Sequence, residues 1–439
     1  MRRRQLLCAA ISMVLCAAIL IVAVLVMARP ANAQPGPNAQ PSGGAVVAGT
    51  AAIARSATAT TISQSTQRAA IDWQNFDIGS QQTVQFQPSS PSISAPSMAT
   101  LNRVIGPNPS QIAGRIASPG QVIITNQSGV TFFRGAQINT AGLMVTAAGI
   151  SNANFMAGRM VFDQPANPGA AVINEGHITV RDAGLAALVA PQVANTGVIN
   201  ARLGHVVLAG AQTATLDLYG DGLMAIDVTG QVVQAPGGGT ALVTNTGLIR
   251  ANGGTVQLTA RAADGVVQNL VDAGGKVQAN TIGGHTGTIV MNGVGGDITV
   301  AGQLSATGNA PGTAGGNIVI NPSGTVAVAA GARIDASGQT DGGTIALGTT
   351  LARAAGGPDT PSLHTAANVV VAPSASIAAN ATGRGNGGRI TLLSTQATVM
   401  DGSISATGGP QGGNGGFVET SGTHLLDVGP TASVTAAAP

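Results

Sequence analysis

The chain has 439 residues, of which 8% are charged and 2% are aromatic, and it contains 63 glycines. This composition excludes a disordered chain, which would carry more charge, and a conventional globular core, which would hold more aromatic side chains. Short alternating runs of Ala, Val, Ile, Thr and Gly are instead typical of a narrow, repetitive β structure.

The segment 1–33 has the three parts of a secretory signal peptide. Residues 2–4 are arginines, residues 6–27 are apolar, and residues 31–33 (ANA) form a small-x-small cleavage motif. We predict cleavage after Ala33. An uncleaved membrane anchor is the alternative, because the apolar run is longer than is usual for a signal peptide.

Cleavage would change the charge and the cysteine count of the mature chain. It removes four arginines and no acid, which turns the formal charge of +2 into a balance of 15 basic and 17 acidic residues, or −2. That balance excludes the basic signature of a nucleic-acid binder. Cys8 and Cys16 both lie in the leader, so the mature chain would have no disulfide and no cysteine-based metal site.

The remaining chain begins with a Pro-rich linker over residues 34–42 and continues as short strands separated by turns. Two repeats recur along it. Gly-Gly pairs begin at Gly253, Gly274, Gly295 and Gly315, with spacings of 21, 21 and 20, and again at Gly342, Gly387 and Gly415, with gaps of 27, 45 and 28. An Asn-x-Gly-x-Ile motif begins at Asn174, Asn195 and Asn245.

A sequence period near 21 without helix signals predicts three short strands per turn of a solenoid. Stacked rungs bury aliphatic side chains that one rung alone leaves exposed, and they pair each backbone with the next. We therefore predict an all-β, right-handed parallel β-helix with an N-terminal β cap. With this period it would have roughly 17 or 18 rungs and a length of about 80–85 Å. A leucine-rich solenoid is excluded because its Leu-x-x-Leu-x-Leu pattern is absent.

Parallel β-helices also house polysaccharide-cleaving enzymes, which need clustered carboxylates. The tightest acidic group is Asp217, Asp221 and Asp227, whose context predicts turn or solvent-facing positions. The five histidines, His177, His205, His285, His364 and His424, lack metal-ligand spacing. We predict no catalytic residue, no metal and no cofactor.

Two further motifs favour structural roles. Residues 383–388 (GRGNGG) match the Gly-x-Gly-x-x-Gly pattern of dinucleotide-binding loops, but a strand pattern follows where that loop needs a helix, so we predict a corner turn. Trp73 is the only tryptophan, and we predict that it packs near the N-terminal cap.

Several segments resemble, in the same order, the N-terminal secretion domain of two-partner secretion exoproteins, the filamentous haemagglutinin family. The segments are residues 41–50 (PSGGAVVAGT), 71–79 (IDWQNFDIG), 102–116 (NRVIGPNPSQIAGRI), 120–132 (GQVIITNQSGVTF), 135–143 (GAQINTAGL) and 150–158 (ISNANFMAG). The resemblance is strong from about residue 41 to residue 165. Beyond it, the repeats are similar to the generic β-helical shaft of that family.

One segment departs from the family pattern. The family turn Asn-Pro-Asn-Gly is here Asn126-Gln127-Ser128-Gly129. Gln127 lacks the fixed φ of proline, whereas Ser128 and Gly129 still suit a turn, so we expect the fold to survive. The resemblance makes these four residues, with Asn108 and Pro109, candidates for transporter recognition. Simple closure of a turn is the alternative interpretation.

To the signal peptide (1–33) and the linker (34–42), the resemblance adds a secretion domain (43–165) and a shaft (166–439). It implies export through the periplasm of a Gram-negative bacterium by an outer-membrane barrel partner. The expected product is a secreted or surface adhesin, without nucleic-acid partners. A secretion module that lacks its effector is a second hypothesis, because strand pattern continues near the end of the sequence. A β-helical carbohydrate-active enzyme is the third.

Overall fold

A computed structural model describes residues 33–217, 225–235, 241–357 and 365–439. Helices are few and short: a 3-10 helix at Ala95–Ser97, α1 at Asn152–Met156 and α2 at Leu351–Ala354. Within these described ranges, no helix is both long and apolar enough to span a membrane. The predicted signal peptide lies outside the described residues except for Ala33.

The N-terminal strands form a cap. They are β1 (Ser42–Ala48), β2 (Ala51–Arg55), β3 (Ala59–Gln64), β4 (Arg68–Asn75) and β5 (Thr83–Pro88). Strand β1 pairs antiparallel with β4, and β2 pairs antiparallel with β3, before parallel pairing takes over. Trp73 is fully buried, its indole N–H donates to Asn102 Oδ1 at 3.1 Å, and its ring centroid lies 5.5 Å from that of Phe76. The predicted packing of Trp73 at the cap is confirmed.

After the cap, the chain winds through three faces, each a ladder of parallel strands. We call the first ladder face A. Its strands are β6 (Ala99–Val104), the second halves of β8 (Arg115–Asn126) and β10 (Gln137–Thr146), β14 (Leu185–Ala190), β17 (His205–Gly210), β22 (Thr255–Arg261), β25 (Thr288–Val294), β28 (Asn317–Pro322), β31 (Thr344–Leu347), β34 (Arg389–Ser394) and β37 (Phe417–Gly422).

Face B is the second ladder. Its strands are β7 (Ser110–Ile112), β9 (Gly129–Phe132), β12 (Ala171–Asn174), β15 (Gln192–Asn195), β20 (Ala241–Asn245), β23 (Asn269–Ala273), β26 (Asp297–Val300), β29 (Thr325–Val328), β32 (Asn368–Val371), β35 (Ala397–Met400) and β38 (Leu425–Val428).

Face C is the third ladder. Its strands are the first halves of β8 and β10, then β13 (His177–Val180), β16 (Val198–Asn200), β21 (Leu248–Arg250), β24 (Lys276–Gln278), β27 (Gln303–Ser305), β30 (Arg333–Asp335), β33 (Ser376–Ala378), β36 (Ser403–Ser405) and β39 (Ser433–Thr435). The predicted all-β parallel β-helix with an N-terminal β cap is therefore confirmed.

Aliphatic side chains of all three faces point inward and form one continuous core. On face B this core also contains a row of polar residues. The repeated asparagines Asn174, Asn195 and Asn245 stack there in register. Each is fully buried. Asn174 Nδ2 donates to Asn195 Oδ1, and Asn195 Nδ2 donates to Asn245 Oδ1, both at 2.7 Å. The Asn-x-Gly-x-Ile repeat is thus a true structural repeat.

The predicted period of 21 is wrong for much of the helix. Val271 pairs with Ile298, and Ile298 pairs with Val326 on the next rung. The sequence numbers of these partners differ by 27 and by 28, so the rungs are longer than predicted. Within the described residues, face B has 11 strands. At about 4.8 Å per step this ladder is about 48 Å long, well short of the predicted length.

The glycine pairs explain the error. The pairs that end at Gly254, Gly275 and Gly296 precede β22, β24 and β26, which lie on faces A, C and B. Their spacing of 21 therefore joins three different corners. The later pairs, which begin at 315, 342, 387 and 415, all precede face A strands, so their gaps of 27, 45 and 28 are the real rung lengths. The longest of these rungs contains α2.

A second, antiparallel sheet, absent from the sequence-based prediction, lies against the outside of face A. It consists of β11 (Met160–Phe162), β18 (Thr213–Asp217) and β19 (Ala225–Gly230). Its apolar residues, together with Phe155 of α1, pack on outward-facing side chains of face A such as Met144 and Val207. Face A is therefore buried on both sides over several rungs.

Candidate functional site

The structure brings the six candidate recognition residues to one corner, where face A turns into face B on two successive rungs. Asn108 and Pro109 lie between β6 and β7, and the turn that begins at Asn126 lies between β8 and β9. Asn126 Nδ2 donates to the carbonyl of Asn108 and to Ser110 Oγ, both at 3.0 Å. We call residues 107–109 and 126–129 the turn surface.

Two residues of the turn surface build its backbone. Asn126 is 1% exposed, and its Oδ1 accepts the N–H of Ser128 at 2.9 Å, which closes a side-chain turn. Gly129 has φ +105°, and a Cβ there would lie 2.3 Å from the carbonyl oxygen of Ala171. Both residues are therefore required for the turn itself. Its formation confirms the expectation that the fold survives without the family's proline.

The two residues that depart from the family pattern face outward and bridge neighbouring loops. Gln127 Nε2 donates to the carbonyl of Pro165 at 3.1 Å, and Ser128 Oγ donates to the carbonyl of Pro107 at 2.7 Å. Asn167 Nδ2 donates to Ser128 Oγ at 3.3 Å. Gln127 and Ser128 thus connect loops of three consecutive rungs, a role that sequence spacing alone did not indicate.

An open groove borders the turn surface and contains residues that were not among the six candidates. Its lining includes Arg103, Ile105, Thr125 and Gln164. Ile105 is 54% exposed, and the buried Oγ1 of Thr125 has no hydrogen-bond partner. The groove therefore combines an exposed apolar side chain with polar groups.

Arg103 is fixed in this groove. Its guanidinium lies 2.7 Å from Asp72 Oδ1 and donates to Asn152 Oδ1 of α1 at 3.0 Å. The ion pair joins the cap strand β4 to β6, and the bond to Asn152 ties α1 to both. Arg103 lies in the NRV segment that carries the family resemblance. That segment is the sequence feature from which a role for Arg103 could have been predicted.

The acids and histidines tested for enzyme chemistry are dispersed. Asp227 is exposed on β19, whereas Asp221, His364 and the side chain of Asp217 lie outside what is described. His177, His285 and His424 are exposed. Among the described side chains, no group of three or more His, Cys, Asp or Glu could hold a metal ion.

In the described part of the chain, three titratable groups have shifted pKa values, and each shift comes from burial. Burial raises the pKa of Asp77, against the lowering effect of the Gln111 N–H that it accepts at 2.8 Å. Burial also raises the pKa of Asp272 and lowers the pKa of His205. The three lie in the loop after β4, on β23 and on β17, so they do not form an acid–base pair.

Residues 383–388 form a corner that leads directly into β34 (Arg389–Ser394). The predicted corner turn is confirmed.

Comparisons with known proteins agree with this fold. The family model described as the TPS secretion domain, where TPS denotes two-partner secretion, matches residues 38–306. The crystal structure of the HMW1 secretion domain from Haemophilus influenzae superposes with a TM-score of 0.72 and 28% identity, and covers 90% of this chain and 99% of that one.

Two curated relatives, both heme/hemopexin-binding proteins of Haemophilus influenzae, match parts of the chain. One is 30% identical over 242 residues, which is 53% of this chain and 25% of the relative. The other is 42% identical over 92 residues, 21% of this chain and 9% of the relative. The matched region thus spans a quarter or less of these relatives. The family model nevertheless covers more than half of the chain, and the chain belongs to the TPS secretion domain family.

Proposed function

We propose that this chain is a two-partner secretion exoprotein that an outer-membrane barrel transporter exports, and that the turn surface is read by the transporter's periplasmic domains. Family membership supports the first part, since proteins of this family are secreted by Gram-negative bacteria through the periplasm with such a partner. The convergence of Asn108, Pro109 and residues 126–129 at one corner carries the second part.

The route has three steps. Residues 1–33 direct the chain across the inner membrane, with cleavage after Ala33. The secretion domain then meets the transporter in the periplasm, and the rungs stack outside the cell. The predicted division into a secretion domain (43–165) and a shaft (166–439) is kept as part of this proposal, although the family model extends to residue 306.

Within the turn surface, the exposed side chains are the ones that contact the transporter. Asn126 and Gly129 are buried and serve the turn, whereas Asn108 and Gln127 are exposed. The Gln127 side chain can exchange its one hydrogen bond, to the carbonyl of Pro165, for one to a partner at small cost to the fold. The adjoining groove, with Ile105 exposed, suits an extended segment of the partner.

Secretion assays with the barrel partner test this proposal. The double variant Gln127→Ala/Ser128→Ala should lower the secreted fraction several-fold while thermal unfolding changes little. Gln303→Ala, an exposed glutamine on face C, is the matched control and should secrete normally. Normal secretion of the double variant, with undiminished capture by the transporter's periplasmic domains, would refute a recognition role.

A motif-restoring variant gives an independent test. Gln127→Pro/Ser128→Asn recreates the family's turn, in which proline fixes φ and asparagine tolerates tight backbone geometry. We expect secretion equal to or greater than that of the wild type. A marked loss would indicate that this chain and its transporter recognise the glutamine and serine themselves.

After export, we propose a role in adhesion or surface attachment. A secretion module without its effector is the competing hypothesis. Deleting the chain and measuring cell attachment separates them, since only the adhesin predicts a loss. The relatives' names concern heme and hemopexin, but the shared segment is a quarter or less of those proteins. That binding is therefore not part of the proposal.

A further inference from the structure

A cleft opens on the outside of face A, beside the edge of the second sheet. Its volume is about 90 Å³, and its mouth opens to solvent. The floor is formed by Ile123 and Met144, which are paired on neighbouring strands. One wall is the cross-strand pair Met160 and Leu216. All four of these side chains are buried, so the interior of the cleft is apolar.

A glycine holds the cleft open. Gly142 stands in register between Gln121 and Leu185, at a position where the strand would otherwise carry an outward side chain. A Cβ at Gly142 would meet Gln121 Cγ at 3.4 Å and the Leu185 carbonyl oxygen at 3.6 Å, which are ordinary contacts, and its φ is not positive. The backbone therefore does not require glycine here, and its effect is to leave space.

The mouth of the cleft carries a positive charge that is available to a ligand. Arg181 lines the mouth and is exposed. Within the described part of the chain its guanidinium has no ion pair, because the neighbouring carboxylate of Asp182 is bonded to Arg202 instead. An apolar interior with one cation at the rim matches a ligand with an aliphatic chain and an anionic head.

We propose that this cleft binds amphiphiles of the fatty-acid type, with the alkyl chain over Met144 and Leu216 and the carboxylate at Arg181. Met144 and Met160 suit such a ligand, because flexible thioether side chains adapt to chains of different length. The site is independent of the turn surface, which lies at another corner, so failure of this proposal would leave the proposed export route intact.

Displacement of a fluorescent fatty acid, cis-parinaric acid, from the purified chain measures the binding. Laurate should displace it saturably and about three- to fivefold more tightly than uncharged dodecanol, the gain typical of one solvent-exposed ion pair. Arg181→Gln should remove that preference and leave dodecanol binding unchanged. Arg250→Gln, on face C, is the matched control and should preserve the preference.

Filling the space above Gly142 tests the cleft itself. Gly142→Val should weaken both ligands at least about tenfold, because its methyl groups would occupy the cleft. Gly142→Ala should have a smaller effect in the same direction. Gly169→Val, at a site with open space, is the control for glycine replacement. Absence of saturable binding, full binding by Gly142→Val with an unchanged melting temperature, or a persistent laurate preference in Arg181→Gln would overturn the proposal.

Discussion

The buried asparagine ladder gives the sharpest test of how the rungs hold together. Asn195 accepts a hydrogen bond from Asn174 and donates one to Asn245, both at 2.7 Å in a fully buried environment. Asn245 lies at the end of this ladder, and its own Nδ2 is buried without a partner. Asn195 and Asn245 are chemically alike, but replacing Asn195 breaks two hydrogen bonds of the ladder and replacing Asn245 breaks one.

Replacing Asn195 by alanine leaves Asn174 Nδ2 and Asn245 Oδ1 buried without partners. An unpaired buried polar group costs about 1–3 kcal/mol, so the substitution should cost about 2–6 kcal/mol. Replacing Asn245 by alanine leaves only Asn195 Nδ2 unpaired and removes a group that already lacks a partner. Its cost should be at most about 1–3 kcal/mol, roughly half as much.

Hydrogen–deuterium exchange of peptides that cover β12, β15 and β20 is the suitable assay. Long repeat arrays do not unfold in a single two-state transition, whereas exchange reports the free energy of local opening. Asn195→Ala should accelerate exchange in all three strands, and Asn245→Ala mainly in β15 and β20. Equal effects, or a larger effect of Asn245→Ala, would refute the argument that the number of orphaned partners sets the cost.

Three further predictions test other parts of the fold. Gly129→Ala should lower stability by at least about 2 kcal/mol, because it combines a left-handed φ with a clash. Gly135→Ala, with φ +99° and open space, should cost about 1 kcal/mol. Similar melting temperatures of the two variants would contradict this reasoning. Burial lowers the pKa of His205, so the unfolded state takes up the proton first and stability should fall as the pH drops below about 6.5. His205→Gln should remove that part of the pH dependence in exchange measurements on β17. Burial raises the pKa of Asp77, so Asp77→Asn, which keeps the acceptor for the loop, should stabilise the cap at neutral pH and lose this advantage towards about pH 4; urea unfolding followed by Trp73 fluorescence at both pH values checks it.

The repeats predicted the fold because stacked positions in register need the same kind of side chain on successive rungs. Asn174, Asn195 and Asn245 recur because each must bond to the next. The glycine pairs misled on rung length, since corners on all three faces favour glycine and only the register distinguishes one corner from another. Spacing between like residues therefore indicates a solenoid more securely than it gives its period.

The candidate site was partly predictable for the same reason. Asn108 and Asn126 were identified from the family resemblance, and the structure joins them through a side-chain bond. Gln164 and Asn167 were missed because their approach to the turn depends on where β11 and β12 place their connecting loop. The second sheet was missed because β11 and β18, which pair in it, are separated in sequence by two rungs.

That pairing has a consequence for the order in which the molecule can be completed. In a chain that emerges from its amino end, β18 becomes available to β11 only after the residues of β12 to β17 have emerged. Until then Phe155, Met160 and Phe162 have no cover from β18 and β19, although all three are buried in the finished fold. A chain that emerges from its amino end would carry this apolar patch uncovered until residue 216 or beyond appears. A recombinant fragment that stops at residue 165 would keep the patch permanently, and one that extends past Gly230 would bury it.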